Sequence, residues 1–311
     1  MQVAMWVNIV IPVKNAARYL GEAIASALGQ ADVKRVIVVD DGSTDGSADI
    51  AARIGDERIT LIQGGGRGVS AARNLGFAEI ERLIPAEERE HSWLMFLDAD
   101  DRLVPGATEM LLESAPADCV AVYGDYERID ADGRRIGYRS LLPRRGKPSG
   151  EIQRDLLAGN FIVNGGVMLM RQAQFRRTGG FDETLGYCED WHLFCRLAGL
   201  GPIVWCPRTT ILEYRVHSGS AMMSGAVTFS HYRAAVERVF TDAMIASKVG
   251  SADLVRLRRK AEAHLKTYLA CQSIRARAYT RAIRETAEVI ALLPSQTPKT
   301  LVHTLGALAG L

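Results

Sequence analysis

The stretch Trp93-Leu94-Met95-Phe96-Leu97 runs directly into Asp98-Ala99-Asp100-Asp101, so five apolar side chains are followed by three acids within four positions. An apolar run without alternation reads as a strand buried on both faces, the pattern of a parallel sheet. Its carboxyl end is where open α/β sheets place their ligands. Three carboxylates crowded there repel one another unless a cation lies among them. The reading with chemical content is a divalent metal that carries phosphate. The competing reading is a solvated acidic turn between strand and helix, and the flanking sequence must decide between the two.

Upstream, the same arrangement recurs. Val7 to Val13 is a β-rich apolar run stopped by proline at Pro12, and Ala16 to Leu28 has apolar residues at helical spacing. Arg35 to Val39 is a second buried-type strand, ending in Asp40-Asp41-Gly42-Ser43-Thr44-Asp45 before a helical segment through Arg53. Ile59 to Ile62 is a third strand, followed by Gly64-Gly65-Gly66-Arg67-Gly68 and a helix from Ser70 to Leu83. Strands alternating with helices at this spacing predict an α/β fold with a doubly wound, mainly parallel sheet flanked by helices. Trp93 to Leu97 is its fourth strand.

After Asp101 the pattern changes. A helix is predicted over Ala107 to Glu113, with Pro105 near its start. Cys119 to Tyr123 and the alternating stretch Asp125 to Tyr138, with a turn at Asp132-Gly133, read as strands joined without long helices. Arg144 to Gly150 is a polar, breaker-rich loop, Gly165 to Arg171 a strand, and Gly179-Gly180-Phe181-Asp182 a turn. Glu189 to Leu197 has helical spacing, which puts Glu189 and Asp190 in that helix's first turn. A strand at Ile211 to Arg215 leads into a Gly-, Ser- and Met-rich segment, Val216 to Ala226.

From Tyr232 on, the chain is helical. Tyr232, Val236, Val239, Phe240 and Ala243 mark one apolar stripe, and Leu254, Leu257, Ala261, Leu265 and Tyr268 another. Pro294 and Pro298 are expected to end the helices and leave the last dozen residues frayed. Charge divides at about the same place. Residues 231–311 carry 13 Lys and Arg against 6 Asp and Glu, a net of +7, which leaves −5 of the overall +2 for the rest. The division is read as a domain over residues 1–228 and a basic helical extension over 229–311. Its basic face is either solvated or placed against an anionic membrane surface.

Composition narrows the class. With 48% hydrophobic and 24% charged side chains, 311 residues suffice for a full core. No apolar run reaches the roughly 20 residues of a membrane span, and no signal sequence opens the chain, so a cytoplasmic protein is expected, with room for a peripheral place at the inner face of the membrane. The five cysteines include no Cys-x-x-Cys pair and are expected to be small buried hydrophobes.

Six motifs, in order and spacing, carry a resemblance. They are Pro12 through Asn15, Asp40 to Asp45, Gly68 with Ala72-Arg73-Asn74 and Gly76, Asp98-Ala99-Asp100-Asp101, Gly179 to Asp182, and Glu189-Asp190-Trp191. Together they resemble the family 2 glycosyltransferases of the GT-A fold, over residues 7 to 225. The resemblance implies metal-dependent, inverting transfer of a sugar from a nucleotide-sugar donor, a UDP-sugar first of all, to a glycan, lipid-linked or protein acceptor. No nucleic-acid partner is implied. Polysaccharide biosynthesis is the matching family-level role.

Residue by residue, the resemblance implies a donor pocket shaped by Pro12, Val13, Asn15, Asp40 and Arg73, with Asp41 accepting from the uracil ring. Asp98, with Ala99 beside it, would face ribose or metal, and Asp100 would ligate Mg²⁺ or Mn²⁺, since hard cations favour carboxylate oxygens. His217 would complete the metal or diphosphate site. Asp190 is the implied general base, with Glu189 as an acceptor contact, because inversion needs one carboxylate beside the attacking hydroxyl. Arg215 is a candidate for phosphate contact, and His192 a plain helix residue.

Two positions depart from the family pattern. Lys14 stands where an aromatic residue often stacks on the base, and Gly64 to Gly68 replaces an asparagine-glycine turn. The second opens an alternative, because Gly66-Arg67-Gly68-Val69-Ser70-Ala71 matches the dinucleotide fingerprint of a Rossmann oxidoreductase. It follows the third strand instead of the first, and about 20 residues on it has Glu87-Glu88 in a polar loop, not an acid ending a second strand. A nucleotidyltransferase on a related sheet is the other alternative. It would carry a glycine-rich basic loop after the first strand, where this chain has Asn15-Ala16-Ala17-Arg18.

Overall fold

The computed structural model describes residues 5–136, 146–217 and 227–308. Its first half alternates as predicted: β1 (Val7–Val13), α1 (Ala17–Leu28), β2 (Val33–Asp40), α2 (Ser47–Arg53), β3 (Ile59–Gln63), α3 (Val69–Leu83), a short α4 (Ala86–Arg89) and β4 (Trp93–Phe96). Every residue of β1 and β4 is buried, which is why neither strand alternates in sequence. β2 and β4 flank β1, β3 lies outside β2, and all three pairings are parallel. The strand order thus reverses at β1, the kind of point at which open sheets bind ligands. Val13 pairs with Asp40 and Val10 with Phe96, so the two acidic turns leave the same edge of the sheet.

The rest of the sheet is mixed. It is built from β5 (Arg102–Leu103), α5 (Ala107–Glu113), β6 (Ala121–Ile129), α6 (Gln153–Ala158), β7 (Met168–Arg171), α7 (Gln172–Thr178), α8 (Glu189–Ala198) and β8 (Ile203–Arg215). The eight strands run in the order β3-β2-β1-β4-β7-β6-β8-β5. β7 is antiparallel to both β4 and β6, and β5 to β8, while β6 and β8 are parallel. The alternating stretch from Asp125 continues β6 to Ile129, turns at Asp130 to Gly133, and returns only as a bridge from Arg135 to Ile129. The end of that stretch, Arg144-Arg145 of the polar loop, and the Val216 to Ala226 segment from residue 218 on lie outside the described residues.

The last part is helical as expected: α9 (Phe229–Thr241), α10 (Ala243–Ala246), α11 (Ser251–Arg275), α12 (Tyr279–Leu292) and α13 (Thr297–Leu308). The frayed end predicted after Pro294 is a correction. Pro294 opens a 3₁₀ turn, and Pro298 lies in the first turn of α13, where a missing N–H costs no helical hydrogen bond. Thr300, Thr304 and Ala307 are buried at helical spacing along it. Val236, Val239, Ile245, Val249, Leu257 and Ala261 belong to the same core cluster as the sheet. Asp242 caps α10, accepts from Arg196 Nε at 2.9 Å and lies 2.9 Å from His192 Nε2, which fixes α8 against the helices beyond it. No helix among the described residues is long and apolar enough to cross a membrane.

Candidate active site

The site is assembled from one loop outward. Asp41 lies at the end of β2, is almost fully buried, and accepts from the Arg67 and Gly68 amides at 2.8 and 2.9 Å. Gly65, Gly66 and Gly68 have φ of 78, 72 and 98°, a backbone region that a side chain disfavours, so the glycine run is what lets the loop fold onto Asp41. The loop fixes the start of α3. Gly76, two turns on, lets the helix lie directly on the sheet: a Cβ there would stand 2.4 Å from Val10 Cγ1. Asp40 accepts from the Ser43 amide at 2.9 Å, and Asn15, at φ 54°, accepts from the Thr44 amide at 2.8 Å. These bonds tie the turns after β1 and β2 together beside buried Pro12 and Val13.

α3 then delivers Arg73, whose side chain is 3% exposed. Its guanidinium donates to Asp98 at 2.8 Å, Glu189 at 2.9 Å and Asp190 at 3.3 Å. One face of it lies 5.0 Å from the Phe181 ring. Phe181 is held in turn by Asn74, which exchanges two hydrogen bonds of 2.9 Å with its backbone. The Gly179 to Asp182 turn and the Ala72-Arg73-Asn74 motif are therefore one unit. α8 presents Glu189 and Asp190 in its first turn, as predicted. It starts from Cys188, which is held at φ 57° with its side chain in an apolar cluster that includes Tyr232 and Leu269. Sequence reasoning gave no sign of that strained position.

Three carboxylates around one guanidinium leave the group short of positive charge. Burial pushes Asp190 up to about 8, Arg73 opposes this, and Glu189 and Asp98 add to it. The cluster keeps a proton near neutrality that a solvent-exposed aspartate would lose. Arg73 stays charged: burial opposes its charge, but Asp190, Asp98 and Glu189 together hold its pKa above the ordinary value.

On the other side of Asp98 lies Asn164, whose amide donates to Asp98 at 3.2 Å and Asp101 at 2.8 Å. It was not among the predicted residues. The only signal for it is a polar residue directly before the Gly165-Gly166 turn. Buried Asp101 also accepts from the Arg215 amide at 2.8 Å, and burial, then Asp100 and Asp98, raise its pKa well above the usual range. Asp101 thus anchors the end of β8. The Arg215 guanidinium is engaged by the Asp100 carbonyl at 2.7 Å and by Glu22 at 2.8 Å, over the Tyr19 ring, so it pins the turn from below. Ala99 is buried between the two outward-facing acids.

Asp100 and His217 face each other, with Oδ2 and Nε2 3.0 Å apart. Burial, then Asp98, hold Asp100 above its ordinary pKa, and the His217 contact opposes this. Among the described residues no three His, Cys, Asp or Glu side chains form a metal-holding group. The pair still suits Mg²⁺ or Mn²⁺, which bind through one or two protein ligands plus phosphate oxygens. Two ligands at about 2.1 Å and right angles lie about 3 Å apart, the separation found here. Asp98 is the weaker third candidate, because Arg73 and Asn164 already occupy its two oxygens.

The glycosyl transferase family 2 model matches residues 8–179, more than half of the chain and most of these motifs. The chain belongs to this family. The match excludes both alternative readings, and the loop shows why the oxidoreductase one fails: the Arg67 and Gly68 amides bond Asp41 instead of facing a pyrophosphate. Among curated relatives, an uncharacterized glycosyltransferase of Rickettsia typhi is 28% identical over 73% of this chain and 69% of its own length. The succinoglycan biosynthesis protein ExoU of Rhizobium meliloti is 33% identical over 63% of this chain and 57% of its own length. The matched segment thus spans about two thirds or less of these family 2 relatives. The fold is that of GT-A glycosyltransferases. S. aureus TarS residues 1–349, solved with UDP, superposes with a TM-score of 0.61 at 14% identity, covering 98% of this chain and 88% of that one. The mannosyltransferase PcManGT from Pyrobaculum calidifontis, solved with GDP-Man and Mn²⁺, gives 0.57 at 18% identity, covering 98% and 84%.

Proposed function

We propose that this glycosyltransferase moves a sugar with inversion from a nucleoside diphosphate donor, first of all a UDP-sugar, to a glycan, lipid-linked or protein acceptor. The observation that carries the reading is the Arg73 fork. It holds a donor-side acid, Asp98, and two acceptor-side acids, Glu189 and Asp190, around one guanidinium, with side-chain exposures of 27, 13 and 15%. The acceptor hydroxyl attacks the anomeric carbon, the bond to the diphosphate oxygen breaks with its electron pair, and Asp190 takes the hydroxyl proton. Glu189 contacts the acceptor. Arg73 keeps both carboxylates aimed at the reaction centre and limits how tightly Asp190 holds a proton.

The nucleotide lies over the edge formed by Pro12, Val13, Asn15, Asp40 and Asp41. Each Asp41 oxygen has a second lone pair beyond its loop amide, through which it accepts from a base N–H. Asp100 and His217, with Asp98 and Ala99 beside them, hold a divalent ion that, when bound, neutralises the leaving diphosphate. Residues 229–311 act as an extension that brings the enzyme to an anionic membrane surface. In support, Ile283 on α12 and Leu305 on α13 are 71% and 62% exposed in a strongly basic segment.

A thermal-shift panel of nucleotide sugars and NAD(H), each with and without Mn²⁺, tests the donor site. Stabilisation by one nucleotide that needs Mn²⁺ is expected, and NAD-specific, metal-independent stabilisation overturns the reading. Asp190→Asn should retain donor binding and lose transfer about 10²–10⁴-fold, and unchanged transfer removes Asp190 as the base.

A further inference from the structure

Between the β6–β8 end of the sheet and helices α11 and α13 lies a cavity of about 370 Å³, within the size range of small-molecule sites. It borders the acidic cleft on two sides. Val163, Tyr214 and Val216 on its wall are the chain neighbours of Asn164, Arg215 and His217, which bond to Asp98, Asp101 and Asp100. Tyr268, facing in from α11, lies within electrostatic reach of Cys188, the residue that leads into Glu189 and Asp190. The cavity thus adjoins both the acids assigned to the donor and the helix start assigned to the acceptor.

Its inner lining is aromatic and neutral. Tyr126 and Tyr214 stand edge to face, their ring centroids 5.8 Å apart at 71°, and Tyr268 adds a third ring. Burial raises all three phenols, so each keeps its proton at pH 7. Gln272 donates to the Tyr268 oxygen, which leaves that phenol's proton to be given elsewhere. Among the described residues neither the Tyr126 nor the Tyr214 hydroxyl has a hydrogen-bond partner. Burial, then Lys299, bring His264 down to about 4 against a backbone hydrogen bond to Asn160, so its ring is neutral as well. None of the described lining residues is Asp or Glu, and the cations are accounted for. Arg128 and Arg275 are engaged by other groups of the protein, and Arg275 and Lys299 are exposed to solvent that screens them.

These features select among ligands. An anion gains little where no cation stands unmet, and a lipid chain would cover phenols and an imidazole without meeting their hydrogen bonds. A pyranose ring has apolar C–H faces and a rim of neutral hydroxyls that both donate and accept, which suits aromatic faces edged by neutral polar groups. We infer that this cavity is a subsite for a neutral saccharide unit of a glycan acceptor, packed on the tyrosines, with the next unit of the glycan presented to Asp190. The inference rests on the reading of the neighbouring cleft as the transfer centre. It narrows the acceptor to a glycan of more than one unit, held partly by the sheet and partly by α11 of the helical extension.

The test probes an array of neutral and acidic oligosaccharides with the labelled full chain, with and without UDP and Mn²⁺, and titrates the best-bound glycan calorimetrically. A neutral oligosaccharide is expected to bind at least tenfold more tightly than acidic ones. Tyr126→Ala, which removes one stacking face, should weaken it at least tenfold, and Tyr126→Phe, which keeps the ring, less than threefold. UDP binding in the presence of Mn²⁺ should change less than twofold in both variants, which also shows that they are folded. Absence of any bound neutral glycan, a preference for acidic ones, or unchanged affinity in Tyr126→Ala overturns the inference. So does an octyl glycoside of the bound sugar that binds tenfold more tightly than its methyl glycoside, because that would mark a lipid site. Failure of every nucleotide–metal pair to bind, with the glycan result intact, overturns the transfer reading instead.

Discussion

Arg73→Met removes the cation that, among the described residues, holds Asp98, Glu189 and Asp190 together, and its cost should depend on pH. Unit charges about 4 Å apart at an effective dielectric constant of about 20 interact by roughly 4 kcal/mol. Three such contacts would exceed what the fold can lose if all three carboxylates stayed ionised. Proton uptake caps the loss. Asp190, pushed up to about 8, already carries its proton below that pH with Arg73 present, so the loss comes from the other two carboxylates. A proton that the unfolded chain would not hold costs about 1.4 kcal/mol per unit above an ordinary carboxyl value of about 4, which is about 6 kcal/mol at pH 8 and about 2 kcal/mol at pH 5.5. The sign follows from the carboxylates: Arg73 stabilises their charged forms, so its contribution is present above the ordinary pKa and fades as pH falls toward it. Removal of one partner of a buried ion pair costs about 3–5 kcal/mol, so the variant should lose about that much at pH 8 and about 2 kcal/mol at pH 5.5. Urea unfolding of both proteins at the two pH values measures the difference. An equal deficit at pH 8 and pH 5.5 would refute the argument that Arg73 acts by holding ionised carboxylates.

Two further outcomes follow from the same geometry. Asp190 must be ionised to accept a proton and its pKa is pushed up to about 8, so kcat/KM should fall about tenfold per unit as pH drops below that value. A flat profile between pH 6 and 8.5 would show that no group of raised pKa acts in the free enzyme. Gly76→Ala places a methyl 2.4 Å from Val10 Cγ1 and should destabilise the fold by about 1–3 kcal/mol, read as a lower thermal midpoint. A variant as stable as the parent would mean that α3 can lift from the sheet without cost.

Much of the framework was legible because it rests on local rules. Continuous apolar runs mark β1, β2 and β4 since parallel strands are buried on both faces, and helical spacing marks α1, α3, α5 and α8. The end of the chain was misread because proline is both a helix stop and a good first-turn residue, and only the packing of Thr300 and Thr304 shows which role Pro298 has.

The site divides in the same way. Sequence alone determined which acids stand at strand ends and that Glu189 and Asp190 open a helix, because those placements follow from the chain's own periodicity. Only tertiary structure decided that Arg73 joins Asp98 to Glu189 and Asp190, which are 25, 116 and 117 positions away in the chain. It also separated the acids by role: Asp101 is buried under Asn164 and Arg215, while Asp100 turns outward to His217. The physical reason is that a charge's partners and its access to water are set by which elements pack together, and no local pattern records that.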